Sequence, residues 1–290
     1  MNQKVYDAVT AQVTDALTKG VIPWRRPWHS GHGLPVNAVS KKPYRGVNVF
    51  LLSLSDHSDN RWLTFRQARE LGGNVRRGER SAPVVFWKPW SIEGTDQDSG
   101  EVIKWNIPLL RKYHVFNVCQ CDGLELPPLD VENGRANERV ERAEALVRAV
   151  PNPPTIREGG GSAWYRPIDD VVQVPPLEYF DTADHYYSTL FHELGHATGH
   201  KSRLDRPTVM DRIQFGSSGY GREELIAELT SAFCCASIGL DNSLVDNSAS
   251  YIQSWLTVLK SDSKAVVMAA SKAQRAADYL QGVSLDDQLY

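Results

Sequence analysis

The 290-residue chain has few cysteines, four in all. They fall as Cys119-x-Cys121 and the adjacent pair Cys234 and Cys235, which fits neither a zinc ribbon nor a disulfide framework. All four are read as reduced, with Cys234 and Cys235 packing in a helix. Long apolar runs are also missing. No stretch approaches the ~18 residues that span a bilayer, and Met1 to Asp7 lacks the apolar core of a signal peptide. The expectation is a cytoplasmic protein with no membrane partner. The absence of a P-loop and of a paired-aspartate nuclease motif argues against a DNA-processing enzyme, and there is no repeat or low-complexity tract. At 41% hydrophobic and 23% charged residues, the composition is that of a globular protein long enough for two ordinary domains.

Charge is unevenly distributed. Residues 1–120 hold 17 Lys and Arg against 10 Asp and Glu, a balance of +7, whereas the remainder holds 15 against 25, a balance of −10. Six of the eight tryptophans lie in the basic part. Basic charge interleaved with aromatics suggests a nucleic-acid surface, and the acidic part suits a separate domain.

The chemistry concentrates in the stretch from Ser188 to His200, which contains the pattern H-E-x-x-H. His192 and His196 are four residues apart, so on a helix both imidazoles leave one face and can chelate one divalent ion. Glu193 can then reach a water at that ion and take its proton. Leu190, Phe191, Leu194 and Ala197 would dock the helix in a core. The competing reading is a surface helix with two solvated histidines. Asp170 to Val174, just upstream, alternates as the edge strand of a metallopeptidase cleft would.

Periodicity and punctuation place the remaining elements. Val5, Val9, Val13 and Leu17 predict an opening helix stopped by Gly20. Gly46 to Ser55 reads as a short helix, and Thr64 to Gln67 as a capping box whose helix ends at Gly72 and Gly73. Pro83 to Lys88 and Leu110 to Val118 read as strands, with Glu93 to Gly100 a polar turn between them. A linker at 123–133 divides residues 1–122 from 134–290. Beyond it come a helix near 137–150, short strands at 155–157, 163–166 and 170–174, the active helix, and helices near 222–238, 248–260 and 262–281.

Two histidines leave a catalytic zinc one protein ligand short. The metzincin pattern would place a third histidine at position 202, where this chain has Ser202. His200 follows His196 by four, but three ligands along one straight helix do not converge on a tetrahedral ion, so His200 is assigned a supporting or capping role. The helix from Gly221 offers Glu224 and Glu228, one turn apart on one face. Glu224 is chosen as the ligand and Glu228 as the acceptor for a ligand histidine's N–H, with the reverse assignment left open. Tyr220 is a candidate for stabilising an oxyanion. Zn²⁺ is the expected ion, and Mn²⁺ is another divalent ion such donors accept.

Taken together, these stretches resemble the ArdC-type antirestriction proteins of conjugative plasmids. The second half matches at Tyr165 to Pro175, Phe180, His192 to Arg203, and Glu223 to Glu228. The first half matches at Ile22 to Trp24, Pro35 to Asn37, Tyr44 to Asn48, Trp62 to Ala68, and Gly78 to Lys88. The resemblance implies an α+β protein of two domains: an N-terminal domain that binds single-stranded DNA and a C-terminal gluzincin-like metallopeptidase domain carrying the H-E-x-x-H helix. It also implies protection of incoming plasmid DNA from host restriction during conjugation, with a host restriction-related protein as candidate substrate. The alternative is a protein that coats single-stranded DNA and whose metal is only structural.

Single strands are held by aromatic faces that stack on bases and by cations that track phosphates. The stacking candidates are Trp24, Trp28, Tyr44 and Trp62. The phosphate candidates are Arg25, Arg26, Lys41, Lys42, Arg45, Arg66, Arg76, Arg77 and Lys88. Trp87, inside a strand, is assigned to the core.

Overall fold

The structure, a computed structural model, describes residues 3–24, 33–55, 57–95, 102–127, 136–210, 218–241 and 249–283. The chain opens with α1 (Gln3–Thr18), which buries Tyr6, Val9, Val13 and Leu17 along one face. Then follow β1 (Val36–Asn37), α2 (Val47–Ser53), β2 (Arg61–Leu63), α3 (Phe65–Glu70), β3 (Asn74–Val75), β4 (Ala82–Thr95), β5 (Val102–Asn117) and β6 (Cys121–Asp122). Thr64 caps α3 as its sequence indicates. Its hydroxyl accepts the Gln67 backbone N–H at 3.2 Å, and Gln67 Oε1 accepts the Thr64 backbone N–H at 2.9 Å.

The strands β4 and β5 form a long antiparallel hairpin, in register from Ala82 opposite Val115 to Thr95 opposite Val102. Glu93 to Thr95, expected in a turn, therefore extend β4, because β5 starts early enough to pair with them. The sheet runs β1-β2-β5-β4, which leaves β4 at an edge, while β3 and β6 pair separately.

The second half contains α4 (Ala136–Ala149), β7 (Thr155–Glu158), β8 (Trp164–Arg166), β9 (Val171–Val174), α5 (Ala183–Ala197), α6 (Pro207–Met210), α7 (Ser218–Ile238), α8 (Ala249–Ser261) and α9 (Ala265–Leu280). Its sheet runs β7-β9-β8, with β9 parallel to β7 and antiparallel to β8. The strand expected at an edge is thus the central one. Val171, Val172 and Val174 are all buried, the mark of a strand covered on both faces.

Helix α7 is buried nearly all round, by Leu225, Ile226, Ala227, Leu229, Ala232 and Phe233 and by a polar strip with Glu223, Glu224 and Glu228, so it runs through the core between α5 and α9. Cys234 and Cys235 pack there as free thiols, and burial pushes both thiol pKa values up. The protein is a two-domain α+β structure whose halves share one hydrophobic core. Phe50 of α2 stacks on Phe233 of α7 with ring centroids 5.0 Å apart, and Trp24 meets Trp255 of α8 edge-on at 5.3 Å. Helix α1 packs on α8 and α9. Among the described residues, no helix is long and apolar enough to cross a membrane.

Candidate functional site

Thr182 starts α5 by accepting the His185 backbone N–H at 3.1 Å, and the helix buries Leu190, Phe191, Leu194 and Ala197. That burial fixes the opposite face, where His192 and His196 emerge one turn apart. Their Nε2 atoms lie 3.2 Å from each other. Across from them, α7 offers Glu224, one carboxylate oxygen 3.5 Å from His192 Nε2 and the other 3.5 Å from His196 Nε2. One ligand atom from each of the three lies within 4.8 Å of the others. Nitrogen and oxygen ligands about 2.0–2.1 Å from a tetrahedral zinc stand roughly 3.3 Å apart, so the observed spacings fit a metal with little movement.

The helices can come this close because of Gly195. A Cβ there would lie 3.1 Å from Ala227 Cα and 3.2 Å from its carbonyl oxygen, so α5 meets the backbone of α7 directly. Gly199 instead leaves room for side chains. A Cβ there would meet Val209 at 2.3 Å and the Arg206 guanidinium at 2.9 Å.

Both imidazoles are held from behind. Glu228 lies 3.4 Å from His192 Nδ1, and Glu223 lies 3.7 Å from His196 Nδ1. Carboxylates at Nδ1 orient the rings so that Nε2 faces inward. Glu223 is paired in turn with buried Arg206, whose Nη2 donates to its Oε1 at 2.6 Å. Arg206 also donates to the Gly195 carbonyl at 2.8 Å and to Thr198 Oγ1 at 2.6 Å, tying the end of α5 to α7.

Electrostatics also favours a cation. Glu193, Glu223, Glu224 and Glu228 are buried, and the buried Arg206 guanidinium pairs with Glu223 among them. Burial alone would lower the pKa of His196, yet Glu223 and Glu224 raise it to about 9. His192 is raised as well, since Glu224 and Glu228 outweigh its burial. Burial would likewise raise Glu223, but His196 and Arg206 hold it down to about 2. A divalent ion can replace those protons as the counter-charge, and two imidazoles with a carboxylate are a donor set that suits it.

The remaining site candidates are dispersed. His200 does not support the histidine pair. Its Nδ1 lies 2.7 Å from Ser202 Oγ in the turn after α5, and Glu223 occupies the supporting position instead. Tyr220 sits inside the first turn of α7 rather than before it, one turn ahead of Glu224 on the same face. Sequence reasoning missed Glu223 and Arg206 as partners. The available signal was a run of glutamates on a helix otherwise apolar all round.

A second feature is a cavity of about 950 Å³ beside β4. Its lining includes Lys42, Tyr44, Arg45 and Lys88 from the candidates, together with Phe86, Trp87 and Tyr113. Four cations and no carboxylate line it. Trp87 and Phe86 are each 45% exposed and Tyr113 is 40% exposed, so Trp87 is not the core residue its strand suggested. Because β4 is an edge strand, residues on both of its faces can border one groove.

Trp24 and Trp62 offer no stacking face. Trp24 is fully buried against Phe50 and Trp255, and Trp62 is buried in a satellite core with Tyr44 and Val84. Tyr44 is buried and reaches the cavity only at its wall. Arg66 pairs with Glu70 at 2.7 Å, and Arg76 pairs with Glu79 and Asp122. Lys41 and Arg77 are exposed but do not line the cavity. Arg25, Arg26 and Trp28 lie outside the described residues.

Known proteins resemble this chain in sequence and fold. Residues 3–116 match the family described as the N-terminal domain of anti-restriction factor ArdC. Residues 141–272 match the family described as zincin-like metallopeptidase. An uncharacterized protein of Sinorhizobium fredii, y4eC, is 40% identical over 98% of this chain and 94% of its own length. The DNA primase TraC of Escherichia coli is 36% identical over 95% of this chain, which spans only 27% of that primase. Crystal structures of the antirestriction ArdC protein from plasmid R388 superimpose with TM-scores of 0.76 (metal-free; 39% identity, 95% of this chain, 96% of that one) and 0.74 (Mn(II)-bound; 37% identity, 96% and 97%). The likeness runs nearly end to end in both sequence and fold: the chain belongs to the ArdC family of antirestriction proteins, with an ArdC N-terminal domain and a zincin-like C-terminal domain.

Proposed function

We propose that this antirestriction protein binds single-stranded DNA in the cavity beside β4 and carries a metal-dependent peptidase centre, and so protects incoming plasmid DNA from restriction during conjugation. One observation carries the peptidase part: His192, His196 and Glu224 converge from two helices on a single point. The Mn(II)-bound structure of the R388 protein supports a divalent ion in this family. His192 Nε2, His196 Nε2 and a Glu224 oxygen would hold it, with Zn²⁺ favoured by the donor set and Mn²⁺ also accepted.

A divalent cation at that point supplies Lewis acidity, polarising a peptide carbonyl and lowering the pKa of water. The chain's own groups do the rest. Glu193, next to His192, takes a proton from the attacking water and returns it to the departing amide nitrogen. Tyr220 donates a hydrogen bond to the developing oxyanion. Glu228 and Glu223 keep the imidazoles oriented throughout. The candidate substrate is a host restriction-related protein.

For the DNA part, aromatic faces at Phe86, Trp87 and Tyr113 beside the cations Lys42 and Lys88, with Arg45 paired to Asp278 at the same wall, suit stacked bases and a phosphate path. The experiment that tests the reading is protection from restriction by the Glu193→Ala protein, with metal content and DNA affinity measured on the same sample. Lost protection with metal and DNA affinity unchanged is expected. Full protection would mean that coating DNA suffices and the metal is structural.

A further inference from the structure

The cavity beside β4 has a wall that extends past the end of the zincin-like match. Across from Phe86, Trp87 and Lys88 it is closed by α9, through Val267, Ser271, Gln274 and Arg275. Gln274 and Arg275 lie beyond residue 272, where the zincin-like match ends, and far from the ArdC N-terminal match. The spacing explains their orientation. Residues 267, 271, 274, 275 and 278 recur at steps of three and four, one stripe of α9, while Val266, Ala269, Ala270, Ala273 and Ala277 bury the other side in the core.

This wall is fastened to the N-terminal half. Arg45 pairs with buried Asp278, the Gly46 backbone N–H donates to Gln274 Oε1 at 3.0 Å, and Gln274 Nε2 donates to Asp278 Oδ1 at 3.1 Å. Those bonds occupy Gln274 and Asp278 and fix the width of the groove. Arg275 is not part of the fastening. It is exposed, it borders the cavity, and among the described residues it pairs with no carboxylate.

We propose that α9 forms the second wall of the single-stranded DNA groove, with Arg275 neutralising a backbone phosphate opposite the bases stacked on Phe86 and Trp87. The bound strand then lies across both halves of the protein. Charge complementarity selects the occupant, since Lys42, Lys88 and Arg275 line it with no acidic side chain, beside Arg45 whose charge Asp278 already meets. The inference rests on the reading of this cavity as the DNA site.

The test is titration of the full chain with a labelled oligothymidine at several salt concentrations, for the wild type and for Arg275→Ala, Arg275→Glu and Trp87→Ala. Thermal melting and metal content of each variant confirm its fold. Arg275→Ala should weaken binding and lower the slope of log affinity against log salt by about 0.7, the contribution of one phosphate in a single strand. Arg275→Glu should weaken it further. Trp87→Ala should cost on the order of tenfold and leave the slope unchanged, because stacking is not screened by salt. If Trp87→Ala binds weakly while both Arg275 variants bind like the wild type, α9 is not a wall of the groove. If all three bind like the wild type, the cavity is not the DNA site and both readings fail.

Discussion

At the scale of single residues, what organises the metal centre lies partly outside the motif that advertises it. Arg206 and Glu223 are both buried and neutralise each other, and Glu223 faces His196. Removing one partner of a buried pair leaves an uncompensated charge. Arg206→Met should therefore destabilise the metal-free protein by about 3–5 kcal/mol, measured by urea unfolding. Arg206→Met combined with Glu223→Gln should recover part of that loss, since no buried charge is then stranded. No recovery would mean that Arg206 acts through its bonds to Gly195 and Thr198 instead.

The histidines yield a second residue-scale expectation. Their folded pKa values lie above the ordinary imidazole value of 6.5, His196 at about 9. Raised in this way, the protonated imidazoles stabilise the metal-free fold fully below about 6.5, and this contribution fades as pH rises through about 9. A metal must displace the same protons. Uptake of Zn²⁺ near neutral pH should release protons to a weak buffer, and apparent affinity should climb until about pH 9. Uptake without proton release would show that the imidazoles are already neutral.

The sequence made His192, Glu193 and His196 legible because a four-residue step on a helix is a local fact. Glu224 was also readable, being a carboxylate one turn from another on an apolar helix. Arg206 was not, because its role depends on a loop returning to α7. The tryptophans mislead for a similar reason. Trp24 sits in a proline-rich basic stretch yet is core, whereas Trp87 sits in an apolar strand yet is exposed, because β4 ends the sheet. Exposure at an edge is decided by strand order, which no local pattern encodes.

At the scale of elements, the metal centre is a contact between α5 and α7, and its width is set where Gly195 meets Ala227. Gly195→Val would push against backbone, which cannot rotate away as a side chain can. The substitution should cost about 1–3 kcal/mol in stability through overpacking. It should also draw Glu224 away from the histidines and weaken the metal in a chelator competition assay. Unchanged affinity would mean that α7 can shift without moving its carboxylate. Most elements were legible from periodicity and caps, the Thr64 capping box among them. The central position of β9 and the full length of the hairpin were not, since both depend on which strands pair.

At the scale of the whole molecule, two family matches meet in one hydrophobic core. The linker composition and the charge division pointed to two domains, but nothing in the sequence indicated that Phe50 would stack on Phe233 or that Trp24 would meet Trp255 edge-on. Separating the halves would expose those rings. The full chain should therefore unfold in a single calorimetric transition, and two well-resolved transitions would show that the shared core is energetically minor.

The central claim is that residues from two helices form one metal centre with distinct holding and proton-transferring roles. Elemental analysis tests it most directly, applied to the full chain loaded with Zn²⁺ and freed of excess ion. About one ion per chain is expected in the wild type and in Glu193→Ala, and a large loss in Glu224→Ala and in the His192→Ala/His196→Ala protein. An ion retained in full by the double-histidine variant, or lost from Glu193→Ala while Glu224→Ala keeps it, would mean that these residues do not hold the metal in the roles assigned.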